Sequence, residues 1–260
     1  SLIEVGAGRG TMMSDMMRAI TQAGGGDAFR LAISEASPVY AAAQGERLSQ
    51  FHPDFLGAFR GVGERPFLLL GNEWLDCLPA RQFVQSGNGW QERVVGLDER
   101  GELAFGLATD KAPAAAFRTE EGQESAEIQP ALDTLCETLA EAFAKAPGRA
   151  LFIDYGPAGP APADTLRAFH ESRQIDPLAM PGESDLTVDV DFGRLARLAE
   201  AKGLDVAGPV AQGPFLGALG AQQRMQALID ANPEAGEAIF EGVRRLVDPS
   251  ELGQRFKVIC

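Results

Sequence analysis

Glycines and carboxylates fall close together near the amino end, in Glu4-Val5-Gly6-Ala7-Gly8-Arg9-Gly10, with Glu35 and then Asn72-Glu73-Trp74-Leu75-Asp76 following at a distance. Gly6, Gly8 and Gly10 would let the backbone turn tightly and approach a ligand, and a helix starting after them points unpaired N–H groups at whatever binds. The pattern is G-x-G-x-G, not the dinucleotide fingerprint G-x-G-x-x-G, because Thr11 stands where the third glycine would fall. Glu4, just ahead of the turn, would repel a pyrophosphate. It suits a ligand carrying an ammonium or sulfonium cation, and S-adenosylmethionine carries both. A plain strand-to-helix connection shows such glycines too.

Glu35, in AISEASP, adds an acid at the next strand end. In a doubly wound sheet the carboxyl ends of adjacent strands line one crevice, where a carboxylate can accept hydrogen bonds from both ribose hydroxyls of an adenosine. A solvated loop acid is the alternative. The glycine turn and the two acids fit one βαβ unit, but do not by themselves separate an NAD enzyme from a methyltransferase. Asn72, Glu73 and Asp76 bring an amide and two carboxylates to the same mouth, where they could orient a donor-rich or cationic substrate. Caps on a helical turn would account equally well for Asn72 and Asp76.

The elements that must hold these groups are an alternation of short apolar runs and amphipathic stretches, the mark of βαβ units. Strands are predicted at Ser1–Val5, Phe29–Ser34, Phe67–Leu70 and Leu151–Tyr155. Helices are predicted at Thr11–Ala23, with Met12, Met16, Ala19 and Ile20 on its apolar face, and from Pro38 to about Gln50 with Ser37 as N-cap. Further helices are expected at Ala131–Lys145, Asp191–Ala201 and Gln222–Ala231. Arg81–Val84 and Trp90–Val95, joined by Ser86-Gly87-Asn88-Gly89, read as a hairpin. Asp110–Glu127 reads as a surface excursion, Gly156–Pro162 as a loop, and Phe256–Cys260 as a closing edge strand. The organisation expected is one domain over 1–260, with a hairpin insertion near 81–110 and, by the family resemblance set out below, a substrate-cleft region near 156–220.

The 23 Lys+Arg against 37 Asp+Glu give a net charge of −14, without the clustered basic surface that nucleic acid or an anionic membrane requires. No run approaches the length of a spanning helix. Cys77, Cys136 and Cys260 show neither disulfide-framework nor zinc spacing, so no metal is expected. The chain opens inside a strand, with neither an initiating Met nor a signal segment, which suggests that something is missing upstream.

EVGAGRG, ISEASP, NEWLDCLPARQF with Trp90-Gln-Glu-Arg93, FIDYG, DTLRAFH, DPLAMPGESDLTVDVDF and QGPFLGALG, in order across nearly all 260 residues, resemble the MidA family. The resemblance implies an α/β protein with the class I fold of S-adenosylmethionine-dependent methyltransferases. That fold is Rossmann-like, a mostly parallel sheet with helices on both faces, here with insertions. Mitochondrial members of the family are complex I assembly factors that methylate an arginine of a core subunit. The implied partner is therefore a protein with an accessible arginine, such as an NADH dehydrogenase subunit, in the bacterial cytoplasm or the mitochondrial matrix. A homodimer is compatible with this reading.

By resemblance, Gly6, Gly8 and Gly10 form the cofactor loop, Glu4 lies near the methionine amine and Glu35 holds the ribose. Asn72, Glu73 and Asp76 lie at the methyl-transfer mouth, with Glu73 gripping the guanidinium. Asp154, Tyr155, Asp185 and Asp189 line the substrate side, since carboxylates pair guanidinium bidentately. Asp191 is read as a helix cap. Family members place a histidine at the position of Ser172, and they carry a segment ahead of the glycine strand that this chain does not show. Two other readings remain: an assembly protein that keeps the fold without turnover, and, less favoured, a nucleotide-dependent oxidoreductase.

Overall fold

The computed structural model describes residues 1–57, 62–87, 89–112, 124–159 and 164–260. The amino-terminal alternation folds as β1 (Leu2–Val5), α1 (Thr11–Gln22), β2 (Leu31–Ser34), α2 (Pro38–Arg47), β3 (Asp54–Leu56) and β4 (Phe67–Asn72). α3 (Ala131–Lys145) leads into β9 (Gly148–Tyr155), and near the end of the chain come β13 (Val210–Ala211) and β14 (Phe256–Ile259). These strands make one seven-stranded sheet in the order β13-β14-β9-β4-β1-β2-β3. β3, β2, β1, β4 and β9 are mutually parallel, and β14 runs antiparallel between β9 and β13. This is the class I methyltransferase arrangement. The chain steps outward from β1 to β3, then returns to β4 on the other side, so the strand order reverses between β1 and β4. Crevices for ligands form at such a point, outside the carboxyl ends of the strands.

β1 is buried along its whole length, as expected of a strand covered on both faces. α1 packs its inner face on Leu2, Leu31, Ile33 and Leu48 through Met13 and Met17, with Met16 and Ile20 at the margin. The predicted stripe through Met12 and Ala19 is therefore one position off. Gly10, left-handed at φ 70°, fixes where the helix begins and turns Met12 outward. α2 starts where expected: the Ser37 side chain accepts from Tyr40 N at 3.4 Å, and Pro38 is the first helical residue. On the other face, α3 buries Leu132, Leu135, Cys136, Leu139 and Ala142 at helical spacing. Each such leucine contributes roughly 1.5–3 kcal/mol.

The predicted hairpin is half of a larger insertion. β5 (Arg81–Ser86), β6 (Gly89–Leu97), β7 (Leu103–Ala112) and β8 (Ser125–Ile128) form an antiparallel sheet in the order β7-β6-β5-β8. The stretch read as a surface excursion thus contains the end of β7 and β8 up to Glu127. Asn88 of the predicted turn, residues 113–123 and residues 160–163 lie outside the described residues.

After β9, β10 (Arg167–His170), β11 (Arg173–Ile175) and β12 (Asp185–Thr187) form a small antiparallel sheet that the sequence did not reveal. α4 (Phe192–Ala201) follows, and α5 (Gln212–Ala218), α6 (Ala221–Ala231), α7 (Gly236–Val247) and α8 (Leu252–Arg255) precede β14. β14 is not the edge: β13 pairs outside it, and all four of its residues are buried. Its only polar side chain, Lys257, turns its Nζ back to the carbonyl of Gln254 at 2.5 Å.

Candidate functional site

Four adjacent strands, β2, β1, β4 and β9, end side by side, and each end carries residues singled out by the sequence. At the end of β1 the turn runs through Gly6, Gly8 and Gly10 at φ 63°, 53° and 70°, and Gly6 N donates to Ser34 O at 3.0 Å. A Cβ on Gly6 would lie 2.5 Å from the Trp74 ring, so only glycine allows the turn to pass beneath that indole. Gly8, in contrast, faces open space. Among the described residues no side chain caps the first turn of α1, which leaves its amides available to a ligand.

Glu4 sits two residues before this turn, inside the sheet and only 3% exposed. Its register neighbours are Ile33 and Leu70, and its Oε2 has no hydrogen-bond partner among the described residues. Burial pushes its carboxyl up to about 7. Glu35, just past β2, is held from two sides: its Oε1 accepts from Ser37 N at 2.9 Å and its Oε2 from Gln44 Nε2 at 2.9 Å. Each oxygen keeps a second lone pair for a further donor.

The mouth begins at the end of β4. Glu73 is exposed, adopts φ 49° and donates its N–H to Ile153 O at 2.9 Å, while Asn72 Nδ2 donates to Glu73 Oε1 at 3.3 Å. A non-glycine residue in this region signals a backbone fixed by its surroundings. The fixing comes from below. Asp154, fully buried, accepts from the amides of Leu75 at 2.8 Å, Asp76 at 3.1 Å and Tyr155 at 2.9 Å. Gln129 Nε2 adds bonds to Leu75 O at 2.7 Å and Leu78 O at 3.4 Å. Burial, then the charge of Asp76, push Asp154 upward against those three N–H groups.

Asp76 is buried beside it. Its Oδ2 accepts from the Tyr155 hydroxyl and from Thr187 Oγ1 at 2.8 Å, and Cys77 Sγ approaches Oδ1 at 3.5 Å. Desolvation and this carboxylate push the Cys77 thiol up to about 12, so it stays protonated. Desolvation and Asp76 raise the exposed Asp185 as well. Tyr155 is also raised, by burial first and then by Asp76.

Two residues expected on the substrate side are turned to other work. Asp154 points inward and cannot touch a substrate; it anchors the mouth loop. Asp189 is buried and pairs with two guanidinium groups of this chain, Arg167 through Nη2 and Arg255 at 2.6 and 2.8 Å. It has no free edge to offer a third. Its N–H donates to Thr165 Oγ1 at 2.8 Å, and that hydroxyl donates to Glu127 Oε2 of β8 at 2.5 Å, which ties the insertion to the cleft wall. Both guanidinium groups also lie near the Tyr155 ring, 5.9 Å for Arg167 and 5.5 Å for Arg255. Gly156 brings this segment in, for a Cβ there would meet Val190 O at 2.2 Å. Asp191 caps α4, accepting from Arg194 N at 2.7 Å.

Neither histidine enters the mouth cluster. His52 is a loop residue at φ 49°, and His170 Nδ1 lies 3.1 Å from Glu183 O at the end of β10, followed by a tight turn through Glu171 and Ser172. Among the described residues no helix is long and apolar enough to cross a membrane, and no group of three metal-binding side chains occurs. Sequence reasoning missed Gln44, Gln129, Thr165, Arg167 and Arg255. Their partners lie between 9 and 66 residues away in the chain, and no local pattern marks them.

A glycine turn, an uncapped helix start, two acids at successive strand ends and a carboxylate-lined mouth at the reversal point define a class I methyltransferase architecture. Residues 1–210 match the family described as "Putative S-adenosyl-L-methionine-dependent methyltransferase", and the chain belongs to that family. It is 31% identical over 285 residues to mouse (Mus musculus) "Protein arginine methyltransferase NDUFAF7, mitochondrial", covering 98% of this chain and 65% of the mouse protein. The chain thus spans about 65% of the length of the curated relatives it matches. Two crystal structures of proteins from Burkholderia thailandensis superpose on it, each at 26% identity over 99% of this chain. One has a TM-score of 0.86 with 72% of that protein covered. The other, bound to S-adenosyl-homocysteine, has 0.83 with 70% covered.

Proposed function

We propose that this chain transfers a methyl group from S-adenosylmethionine to an arginine of a partner protein, an NADH dehydrogenase (complex I) subunit or a partner of the same kind. The observation that carries the reading is the contact of Trp74 with Gly6, which sets a cation-binding mouth directly against a glycine turn built for a nucleoside ligand. We read the whole chain as one methyltransferase unit, working in the mitochondrial matrix of a eukaryote or the cytoplasm of a bacterium. The mouse relative is named as a mitochondrial arginine methyltransferase, which supports this choice.

The residues present fit the cofactor. The space at Gly8 and the free amides of α1 suit its methionine end, the unpartnered Glu4 oxygen suits its ammonium, and the two spare lone pairs of Glu35 suit its ribose hydroxyls. When bound, S-adenosylmethionine supplies an electrophilic methyl carbon on a sulfonium. Glu73, exposed at the mouth, grips the guanidinium and accepts the proton that the nitrogen must lose as it gains carbon. Asp76, pinned by Tyr155 and Thr187, holds a fixed negative charge behind it. Asp185 extends the acidic rim. Alignment of the nucleophilic nitrogen with the methyl carbon and its leaving sulfur by such groups would supply several kcal/mol of barrier lowering, and the step needs no metal.

The test is methyl transfer from labelled S-adenosylmethionine to complex I subunit proteins, with the modified side chain identified by mass spectrometry. Label on arginine, lowered at least ~100-fold by Glu73→Ala with cofactor affinity intact, is expected. Label on another residue type would overturn the substrate assignment, and full transfer by Glu73→Ala would overturn the role of Glu73.

A further inference from the structure

Gln44 lies on the inner face of α2 and is fully buried. Its amide nitrogen donates one hydrogen to the Gly8 carbonyl at 2.7 Å and the other to Glu35 Oε2 at 2.9 Å. Both protons of that nitrogen are thereby spent, one on each half of the cradle described above. Its Oε1 is buried with no partner among the described residues, and a Cβ on Gly10 would meet its Cγ at 3.5 Å. An unpaired buried acceptor destabilises the fold, so a residue serving the fold alone would be better as leucine, which fills similar space and leaves nothing unpaired.

We propose that Gln44 is a positioning residue for cofactor binding: by clamping the Gly8 carbonyl to the Glu35 carboxylate it sets the spacing between the glycine turn and the acid that receives the ribose. The inference rests on the reading of the turn and Glu35 as the cofactor cradle. Among the described residues, the one other hydrogen bond to the Glu35 carboxylate comes from the Ser37 amide, which holds one of its oxygens. Without Gln44 the carboxylate keeps the Ser37 amide on one oxygen and loses its hold on the other, and the turn loses its hydrogen bond to α2. Gln44 touches neither the mouth nor the reacting atoms, so its loss acts on affinity and leaves the transfer step alone.

The variants are Gln44→Leu, which removes both bonds and the orphan acceptor, and Gln44→Glu, which keeps the shape but sets an acceptor against two acceptors. Each is titrated with S-adenosylhomocysteine, assayed for KM and kcat, and unfolded in urea. Either variant is expected to weaken binding by ~10-fold or more through the lost hydrogen bonds, with KM rising in step and kcat within about twofold of the parent. Paired with Glu35→Gln, the losses should be non-additive, because the two residues act as one unit. Affinity within twofold of the parent overturns the inference, as does collapse of folding in both variants, which would make the role structural. Failure of the unaltered chain to bind S-adenosylhomocysteine would instead overturn the cradle reading beneath it.

Discussion

Replacing Glu4 by Gln should stabilise the ligand-free chain at pH 8 relative to its parent and lose that advantage near pH 4.5. In the folded chain Glu4 keeps its proton to about pH 7, whereas its ordinary value is 4.5. Between those two values the folded state binds more protons than the unfolded state, so stability falls as pH rises through the window and levels off above it. A separation of 7 − 4.5 = 2.5 pH units corresponds to ~3 kcal/mol at about 1.36 kcal/mol per unit. Glutamine never ionises, so the variant escapes this cost. Any fixed penalty of its buried amide cancels when the two pH values are compared. The assay is the urea midpoint of parent and variant at several pH values between 4.5 and 8, supported by melting temperatures, where ~3 kcal/mol corresponds to roughly 6–12 °C in a chain of this size. The difference between variant and parent should grow by ~3 kcal/mol across that range. A difference that stays constant with pH would show that Glu4 is not an uncompensated buried carboxylate and would remove it from the cation site.

Gly8→Val places a branched side chain at φ 53° in open space, so the fold should survive at a cost of about 1–3 kcal/mol while S-adenosylhomocysteine binding is lost. Calorimetry and urea unfolding of the same sample separate the two effects. Asp189→Asn leaves Arg167 and Arg255 facing an amide; both are partly exposed, so a loss of about 2 kcal/mol is expected, with cofactor affinity unchanged. An unaltered unfolding midpoint with a raised KM for the protein substrate would return Asp189 to the substrate side.

The parts of the site made by contiguous residues were readable from the sequence. A strand, a glycine turn and a helix within one βαβ unit place Gly6, Gly8 and Gly10, and the same logic set Glu35 and Asn72 at neighbouring strand ends. Helix α3 and the Asp191 cap were legible because periodicity and capping are local properties. The direction in which a side chain points was not. Nothing in the sequence sets Asp154 and Asp189 apart from an exposed acid such as Asp185, and only the amides of Leu75, Asp76 and Tyr155, or the guanidiniums of Arg167 and Arg255, show that their carboxylates are already engaged. β8, β10 and β12 were missed because each is three or four residues long and is specified by the strand it joins. β14 reads as an edge in the sequence because two-residue β13, its outer neighbour, is too short to show a pattern.

The most direct measurement is calorimetric titration of this chain with S-adenosylhomocysteine, with NADH as the control ligand. The glycine turn, Glu4 and Glu35 predict saturable one-site binding of S-adenosylhomocysteine and none of NADH. Binding of NADH, or of neither ligand, would contradict the assignment of this crevice to a methyltransferase cofactor.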